Sequence, residues 1–284
     1  MPNVNEVFTN KSNLSFEKIA SPFDPKQVRN GIIVDLHSEL SETEEAFITD
    51  CCVQGIPVFN SSSLQDQLDG KLHVIALTEN AIGQLNPPSL YLSIKQLWES
   101  ALILLLSPIV AALFLIISIV IFLENQGSIF YKQQRVGQKG RKFYIYKFRT
   151  MRPNDDESTD QRFATQEENR ITTIGKLLRL SRLDELPQVW NVLKGDMALI
   201  GPRPEQPHFV EQFKQEIPFY HYRHIVKPGI TGWAQVIQGY ADSTDTTKHK
   251  LAYDFYYIKH LSFWLDMNII LKTIKTILTG SGAR

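Results

Sequence analysis

This chain has little cysteine, no net charge, and none of the short signatures that assign a soluble nucleotide-binding enzyme. Its 284 residues include two cysteines, Cys51 and Cys52, adjacent in sequence. Neighbouring cysteines are poorly placed for a structural disulfide, so both read as buried free thiols, as in a reducing compartment. Absence of Gly-x-Gly-x-x-Gly argues against a bound dinucleotide. Lys227-Pro228-Gly229-Ile230-Thr231-Gly232 is glycine-rich but lacks the Gly-Lys-Ser/Thr of a P-loop. It is expected to form a tight turn beside a site, with Trp233 packed beneath. His221 and His224 have metal-like spacing but no companion ligands nearby, so zinc is not expected. No nucleic-acid motif is present. Residues 1–30 are polar and lack an apolar core, so no secretory signal is expected.

The neutral total hides an asymmetry. Residues 1–95 carry 6 basic and 12 acidic side chains, and residues 96–284 carry 24 and 18. The densest basic stretch, 131–152, has eight Lys or Arg and no acid. Such a block is expected to meet anions. It directly follows a hydrophobic segment, which favours nucleotide diphosphates and anionic lipid headgroups over nucleic acid. The positive-inside rule places it on the cytoplasmic side.

Residues 1–30 read as a loosely ordered lead-in, and 31–90 as a compact α/β module. Gly31–Leu36 is a short apolar strand, and Ser41 with Glu44 forms a capping box for a helix to about Gln54. Residues 56–59 are a second strand, 62–68 a short helix and 73–77 a third strand. Strands alternating with helices suggest a small parallel sheet.

From Ala101 to Leu123 runs a stretch of 23 residues without charge. By length it can cross about 30 Å of hydrocarbon. Ser107-Pro108 interrupts it, because proline removes a helical hydrogen bond and bends the axis. Further on, Phe255–Leu278 repeats apolar residues at helical spacing among Lys259, Lys272 and Lys275. Both core packing and a helix lying in the membrane interface fit that stripe.

Asp184-Glu185 opens a helical pattern that closes at Gly195, followed by Pro202-Arg203-Pro204. With Asp184 as N-cap, Pro187 falls in the first turn and breaks no hydrogen bond; with Ser181 as cap it would sit in the interior. Asp184 is therefore the expected cap. Carboxylates at a helix start are favoured in the ionised form by roughly 0.3–1 kcal/mol, which suits metal binding or attack on phosphorus. A plain capping pair is the alternative for these residues taken alone.

Four motifs in order give a context. They are the run 130–151 ending in Lys147-Phe148-Arg149-Thr150-Met151, the Asp184-Glu185-Leu186-Pro187-Gln188 helix, Gly201-Pro202-Arg203-Pro204, and Lys227–Trp233. Together they resemble the bacterial sugar transferase family, the monotopic polyprenyl-phosphate phosphoglycosyltransferases, over roughly residues 92–280. The resemblance implies a mainly α, membrane-associated catalytic domain over 91–284. Its segment at about 97–123 would be a re-entrant helix broken at Ser107 and Pro108, with Ser107 satisfying a carbonyl freed by the proline. Residues 31–90 would be the later part of the Rossmann-like module of longer members, shortened here.

The implied reaction moves a sugar-1-phosphate from a UDP-sugar to polyprenyl (undecaprenyl) phosphate and releases UMP. It would initiate exopolysaccharide, capsule or O-antigen synthesis on the cytoplasmic face of the bacterial inner membrane. Asp184 is the expected nucleophile, forming an aspartyl phospho-sugar intermediate. Glu185, with Asp184, is assigned to Mg²⁺. Arg203, held between Pro202 and Pro204, is the expected phosphate ligand, and Arg179 a second. Lys147 and Arg149 are expected substrate-site cations, with lipid headgroups as their alternative partner. Arg135 is read as structural or interfacial. A homo-oligomer and other glycan-assembly enzymes are further expected partners. Direct single displacement and a non-catalytic membrane scaffold are the rival readings.

Overall fold

In the computed structural model the chain divides into two units, Met1–His73 and Val74–Arg284. It describes Glu17, Ile19 and residues 23–28, 30–35, 38, 40–72, 86–124, 127–152, 170–238 and 244–279. The strand expected at 73–77 and most of the lead-in lie outside the described residues.

In the first unit, β1 (Ile32–Val34) pairs in parallel with β2 (Val58–Asn60), Ile32 lying opposite Val58. The connecting helix, α1 (Glu42–Val53), starts with the expected capping box: Glu44 N–H donates to Ser41 Oγ at 3.4 Å and Ser41 N–H to Glu44 Oε2 at 2.8 Å. A shorter helix, α2 (Ser61–Asp69), is capped by Asn60 and stopped by left-handed Gly70. Ile32, Phe47 and Cys51 form the core. Cys51 is buried as expected, but Cys52 is exposed, since helical neighbours point about 100° apart.

The second unit begins with α3 (Ser89–Glu124), a single helix of 36 residues. At 1.5 Å per residue it is about 54 Å long. One stripe of it is buried: Lys95, Glu99, Ile103, Ile117 and Ile121. Ile103 packs with Ile145, Val192 and Met197; Ile117 and Ile121 pack with Phe148 and Leu178. The opposite face, including Leu105, Ile109, Leu115 and Leu123, is exposed. This is the one described helix long and apolar enough to cross a membrane, and only 11% of its most apolar window is buried. Pro108 lies inside it. The carbonyl it leaves without a donor is that of Leu104, and the Ser107 hydroxyl donates to that oxygen at 2.7 Å, as expected.

An antiparallel hairpin follows, β3 (Phe130–Val136) with β4 (Lys142–Phe148), Tyr131 lying opposite Lys147. The turn needs left-handed backbone at Lys139 and Gly140. Within this basic block the strand signal is confined to residues 142–145, where exposed Lys142 and Tyr144 alternate with inward-facing Phe143 and Ile145. Then come α4 (Thr173–Leu180), a 3-10 turn (Leu183–Gln188), α5 (Val189–Lys194), β5 (Ala198–Ile200) and α6 (Pro207–Glu216). A second 3-10 turn (Tyr220–Ile225), β6 (Gly229–Thr231), α7 (Trp233–Ile237), α8 (Thr244–Lys259) and α9 (Phe263–Thr279) complete it. β5 and β6 are parallel.

The C-terminal stripe is two helices rather than one. The break falls at His260–Ser262, where Asp266 N–H donates to the Ser262 carbonyl at 3.0 Å and Leu265 N–H to Ser262 Oγ at 3.3 Å. Phe255 and Ile258 of α8 are core, whereas Trp264, Leu271, Ile274 and Leu278 of α9 are exposed. Asp266 is fully buried and binds Lys95 of α3 at 2.5 Å and the hydroxyls of Tyr91 and Tyr257 at 2.6 and 3.0 Å. These bonds tie the end of the chain to the start of the apolar helix.

Candidate active site

Asp184 and Glu185 lie in the 3-10 turn Leu183–Gln188, which runs into α5. Arg182 precedes the turn in left-handed conformation, φ 56°, and no side chain caps it. Asp184 is thus the second residue of a turn and not the N-cap of an α-helix. The physical reason is Pro187: it has no N–H to give an earlier carbonyl and its ring crowds the turn before it. The chain takes the tighter 3-10 path up to Gln188, and α-helix starts at Val189. Ser181 is excluded as a cap, since it ends α4 and its hydroxyl donates to the Leu177 carbonyl at 2.8 Å. The expected closure at Gly195 is present, with φ 86°.

Asn191 fixes this turn against the hairpin. Its fully buried amide donates to the Tyr144 carbonyl at 2.8 Å and accepts from Tyr146 N–H at 3.3 Å. The next residue of β4 is Lys147. Its Nζ donates to Glu185 Oε1 at 2.7 Å and stands 4.0 Å from Asp184 Oδ2. Arg203 Nη2 donates to the same Glu185 oxygen at 2.9 Å.

The two carboxylates, 9% and 5% exposed, meet different electrostatics. Burial works to raise the pKa of Glu185, but Arg203 and Lys147 outweigh it and hold the group well below the usual carboxylate range. At Asp184 burial prevails over Lys147, and repulsion by Glu185 adds to it, so the carboxyl is pushed up. Among the described residues the Asp184 carboxylate accepts no hydrogen bond, and its ion-pair partner is Lys147 at 4.0 Å. Glu185 is a locked anion; Asp184 is a desolvated one with its oxygens uncommitted.

Arg203 projects from a turn made rigid by close backbone contact. Gly201 N–H donates to the Thr231 carbonyl at 2.8 Å and Gly229 N–H to the Pro202 carbonyl at 2.9 Å. A Cβ on Gly229 would come within 2.0 Å of Gly201 N, and one on Gly232 within 2.2 Å of the Gly201 carbonyl oxygen. The glycine-rich segment is therefore a strand docked on Gly201-Pro202, correcting the expected tight turn. Its glycines permit the approach. Trp233 stacks on Tyr256, ring centroids 6.0 Å apart.

Of the other expected residues, Arg179 donates from Nε to Thr150 Oγ1 at 2.9 Å and attracts the Asp184 charge. Its helix sits close because a Cβ at Gly175 would meet the Thr150 carbonyl oxygen at 2.2 Å. Arg149 is not paired with either carboxylate; its guanidinium lies against Gly127, where a Cβ would come within 2.7 Å of Nη1. Arg135 supports the turn from behind, donating to the Pro204 carbonyl at 3.3 Å, in line with a structural role. His224 is half-buried, and desolvation with Arg223 beside it depresses its pKa to about 3. Asn191, Arg223, Asp254, Glu205 and Lys250 were not singled out from the sequence. Each is a polar residue whose importance comes from burial, which has no local signature.

A two-unit chain with an apolar helix docked on a buried carboxylate pair and a Pro-Arg-Pro turn fits one class. Residues 90–280 match the bacterial sugar transferase family, and the chain belongs to it. Over 256 residues it is 46% identical to the UDP-N-acetylgalactosamine-undecaprenyl-phosphate N-acetylgalactosaminephosphotransferase of Aeromonas hydrophila, covering 90% of this chain and 60% of that protein. Over 168 residues it is 44% identical to the UDP-glucose:undecaprenyl-phosphate glucose-1-phosphate transferase of Xanthomonas campestris pv. campestris, covering 58% and 35%. A third relative, the uncharacterized sugar transferase EpsL of Bacillus subtilis, is 38% identical over 191 residues, 66% of this chain and 89% of that protein. The chain thus spans 60% and 35% of the lengths of the first two relatives.

Proposed function

We propose that this chain transfers a sugar-1-phosphate from a UDP-sugar to polyprenyl phosphate, releasing UMP. The observation that carries the reading is the division of labour at Asp184-Glu185: one carboxylate locked by two cations, its neighbour desolvated and uncommitted. An Asp184 oxygen attacks the phosphorus bearing the sugar, and the bond from that phosphorus to the bridging oxygen breaks. UMP leaves with the bonding electrons. A phosphate oxygen of the polyprenyl phosphate then attacks the same phosphorus and displaces Asp184, giving polyprenyl diphospho-sugar and the free carboxylate. Arg203, Lys147 and Arg179 supply positive charge where the phosphoryl oxygens gain it. Burial raises the free energy of ionised Asp184, which makes it the better nucleophile once charged.

The donor set fits magnesium. Glu185 Oε1 is taken by Lys147 and Arg203, which leaves Oε2, and the Asp184 oxygens stand beside it. Magnesium commonly takes one or two carboxylates with waters and phosphate oxygens. When bound by these two residues, it would neutralise the leaving phosphate.

The membrane reading is monotopic. Lys95 and Glu99 near the start of α3 and Glu124 at its end bond to the same unit, through Asp266, through Leu199 and Ile200 N–H, and through Ile174 N–H. A helix crossing to the far side would carry one end away from that body. Pro108 within the apolar helix, with Ser107 satisfying the Leu104 carbonyl, is compatible with a bend there, and the exposed face of α9 supports an interfacial position for that helix. On this reading the catalytic unit sits on the cytoplasmic face of the inner membrane.

Intact mass of detergent-purified protein after incubation with Mg²⁺ and a panel of UDP-sugars, without polyprenyl phosphate, tests the reaction. The expected result is a gain of one sugar phosphate that Asp184→Asn abolishes. UMP release only when polyprenyl phosphate is added, with no adduct, would establish direct displacement instead. No UMP under either condition with any donor would return the scaffold reading.

A further inference from the structure

The turn that presents Arg203 has no backbone carbonyl left to chance. The Pro202 carbonyl accepts Gly229 N–H at 2.9 Å and the Glu205 carbonyl accepts Val136 N–H at 2.9 Å. The Pro204 carbonyl accepts Arg135 Nη1 at 3.3 Å, and the carbonyl of Arg203 itself accepts Arg223 Nη2 at 2.9 Å. Two of the four holds are therefore guanidinium groups from distant segments. Pro202 and Pro204 fix their own φ and Pro204 restricts ψ at Arg203, so the orientation of the Arg203 peptide plane is a principal freedom the turn retains. Arg223 restrains that orientation by holding the Arg203 carbonyl.

Arg223 is itself built in. It is 4% exposed, and Nε and Nη2 reach Asp254 Oδ2 at 3.1 and 2.8 Å while Nη1 donates to the Tyr220 hydroxyl at 2.8 Å. Glu205 Oε1 stands 3.9 Å from its Nη1 and binds Lys250. Burial would raise the Glu205 pKa, but Lys250, Arg223 and Arg135 hold it at about 2, so it stays ionised behind the turn. Arg223 touches neither carboxylate of the site. A guanidinium can serve Asp254, Tyr220 and a carbonyl together because its donors diverge in a plane; an ammonium cannot reproduce that fork.

We infer that Arg223, anchored by Asp254, is a positioning residue for Arg203, holding the Pro-Arg-Pro turn so that the Arg203 side chain meets the donor diphosphate without reorganising. The inference rests on the proposed role of Arg203 as a phosphate ligand. It acts on donor binding through one side chain, and so makes a demand that a merely structural role does not. Loss of Arg223 matters only while Arg203 is present.

The test is a double-mutant cycle on the full chain in detergent, pairing Arg223→Lys with Arg203→Ala and reading UDP affinity and UDP-sugar KM and kcat. Arg223→Lys keeps the buried charge opposite Asp254, so it is preferred to Arg223→Met, which leaves that carboxylate unpaired and is prone to unfold. A hydrogen bond to a charged group is the quantity removed, so Arg223→Lys is expected to weaken UDP binding and raise the donor KM about tenfold. In the Arg203→Ala background the same change is expected to cost less than about twofold, because contacting residues are non-additive. Tyr220→Phe removes a neighbouring hydrogen bond without releasing the Arg203 carbonyl, and is expected to leave donor KM unchanged. Full multiplication of the two losses, or wild-type donor KM in Arg223→Lys, overturns the inference. Whether or not Arg223→Lys folds, a Tyr220→Phe variant that raises the donor KM about tenfold also overturns it, since Arg223 would then be serving the core. Wild-type protein that neither binds UDP nor releases UMP would instead overturn the proposed function.

Discussion

Replacing Lys147 with methionine removes one of the two cations on Glu185 Oε1 and keeps the aliphatic stem. The lost bond is a 2.7 Å contact to a carboxylate only 5% exposed, from a lysine whose side chain is 18% exposed. A hydrogen bond to a charged group contributes about 1.5–3 kcal/mol, and Arg203 remains to share the charge, so a loss of about 2 kcal/mol is expected. For a unit of this size that lowers the melting temperature by about 4–8 °C. Removing both partners of a buried pair is far milder than removing one. Lys147→Met/Glu185→Gln should therefore lose less than the Lys147→Met and Glu185→Gln losses summed, with Arg203 left as the partner without a carboxylate, and the transfer reaction should be gone in all three variants. Glu185 ionises more readily folded than unfolded, so its pairing stabilises the fold at neutral pH. That contribution is full above the unfolded value, about 4.3, and is lost as pH falls toward the lower folded value. The gap between wild type and Lys147→Met should accordingly shrink below pH 4.3, measured by thermal melts across pH. Additive losses in the double variant, or a gap that widens in acid, would refute the assignment of the Lys147–Glu185 contact.

Other expectations are as direct. Asp184 has a raised folded pKa, so its charge opposes folding once pH passes the unfolded value; Asp184→Asn should melt no lower than wild type at pH 7 while forming no phospho-sugar adduct. Gly229→Ala puts a methyl 2.0 Å from Gly201 N; thermal melts should show a loss of at least about 3 kcal/mol or no folded protein, as for severe overpacking. Pro108→Ala restores a donor to the Leu104 carbonyl and frees Ser107, so the apolar segment should straighten. If the proposed re-entrant path depends on Pro108, cysteine labelling of the two ends from each side of the membrane should then find a fraction of chains crossing it, and unchanged one-sided labelling would remove Pro108 as its cause.

Much of the site was legible because its chemistry sits in contiguous motifs. Proline and glycine constrain backbone locally, so Pro202-Arg203-Pro204, the closure at Gly195 and the Ser41–Glu44 capping box follow from spacing alone. The resemblance supplied the expectation that Ser107 satisfies a carbonyl freed by Pro108, and the structure identifies that carbonyl as Leu104. The Asp184 cap failed for an equally local reason, the effect of Pro187 on the turn containing it, which propensity rules for α-helix do not describe.

What the sequence by itself determined, then, is which residues carry charge, where the chain must turn and which segment is apolar enough for lipid. Only the tertiary structure decided which charges are paired. It gave two cations to Glu185 and, among the described residues, left the Asp184 carboxylate without a hydrogen bond, turned Arg149 toward Gly127, and set Arg223 and Asp254 behind Arg203 from 20 and 51 residues away. It also split the C-terminal stripe, placing Phe255 in the core and Trp264 outside. The physical reason is that burial sets the strength of a charge interaction, and burial is a property of the assembled fold that no window of sequence contains.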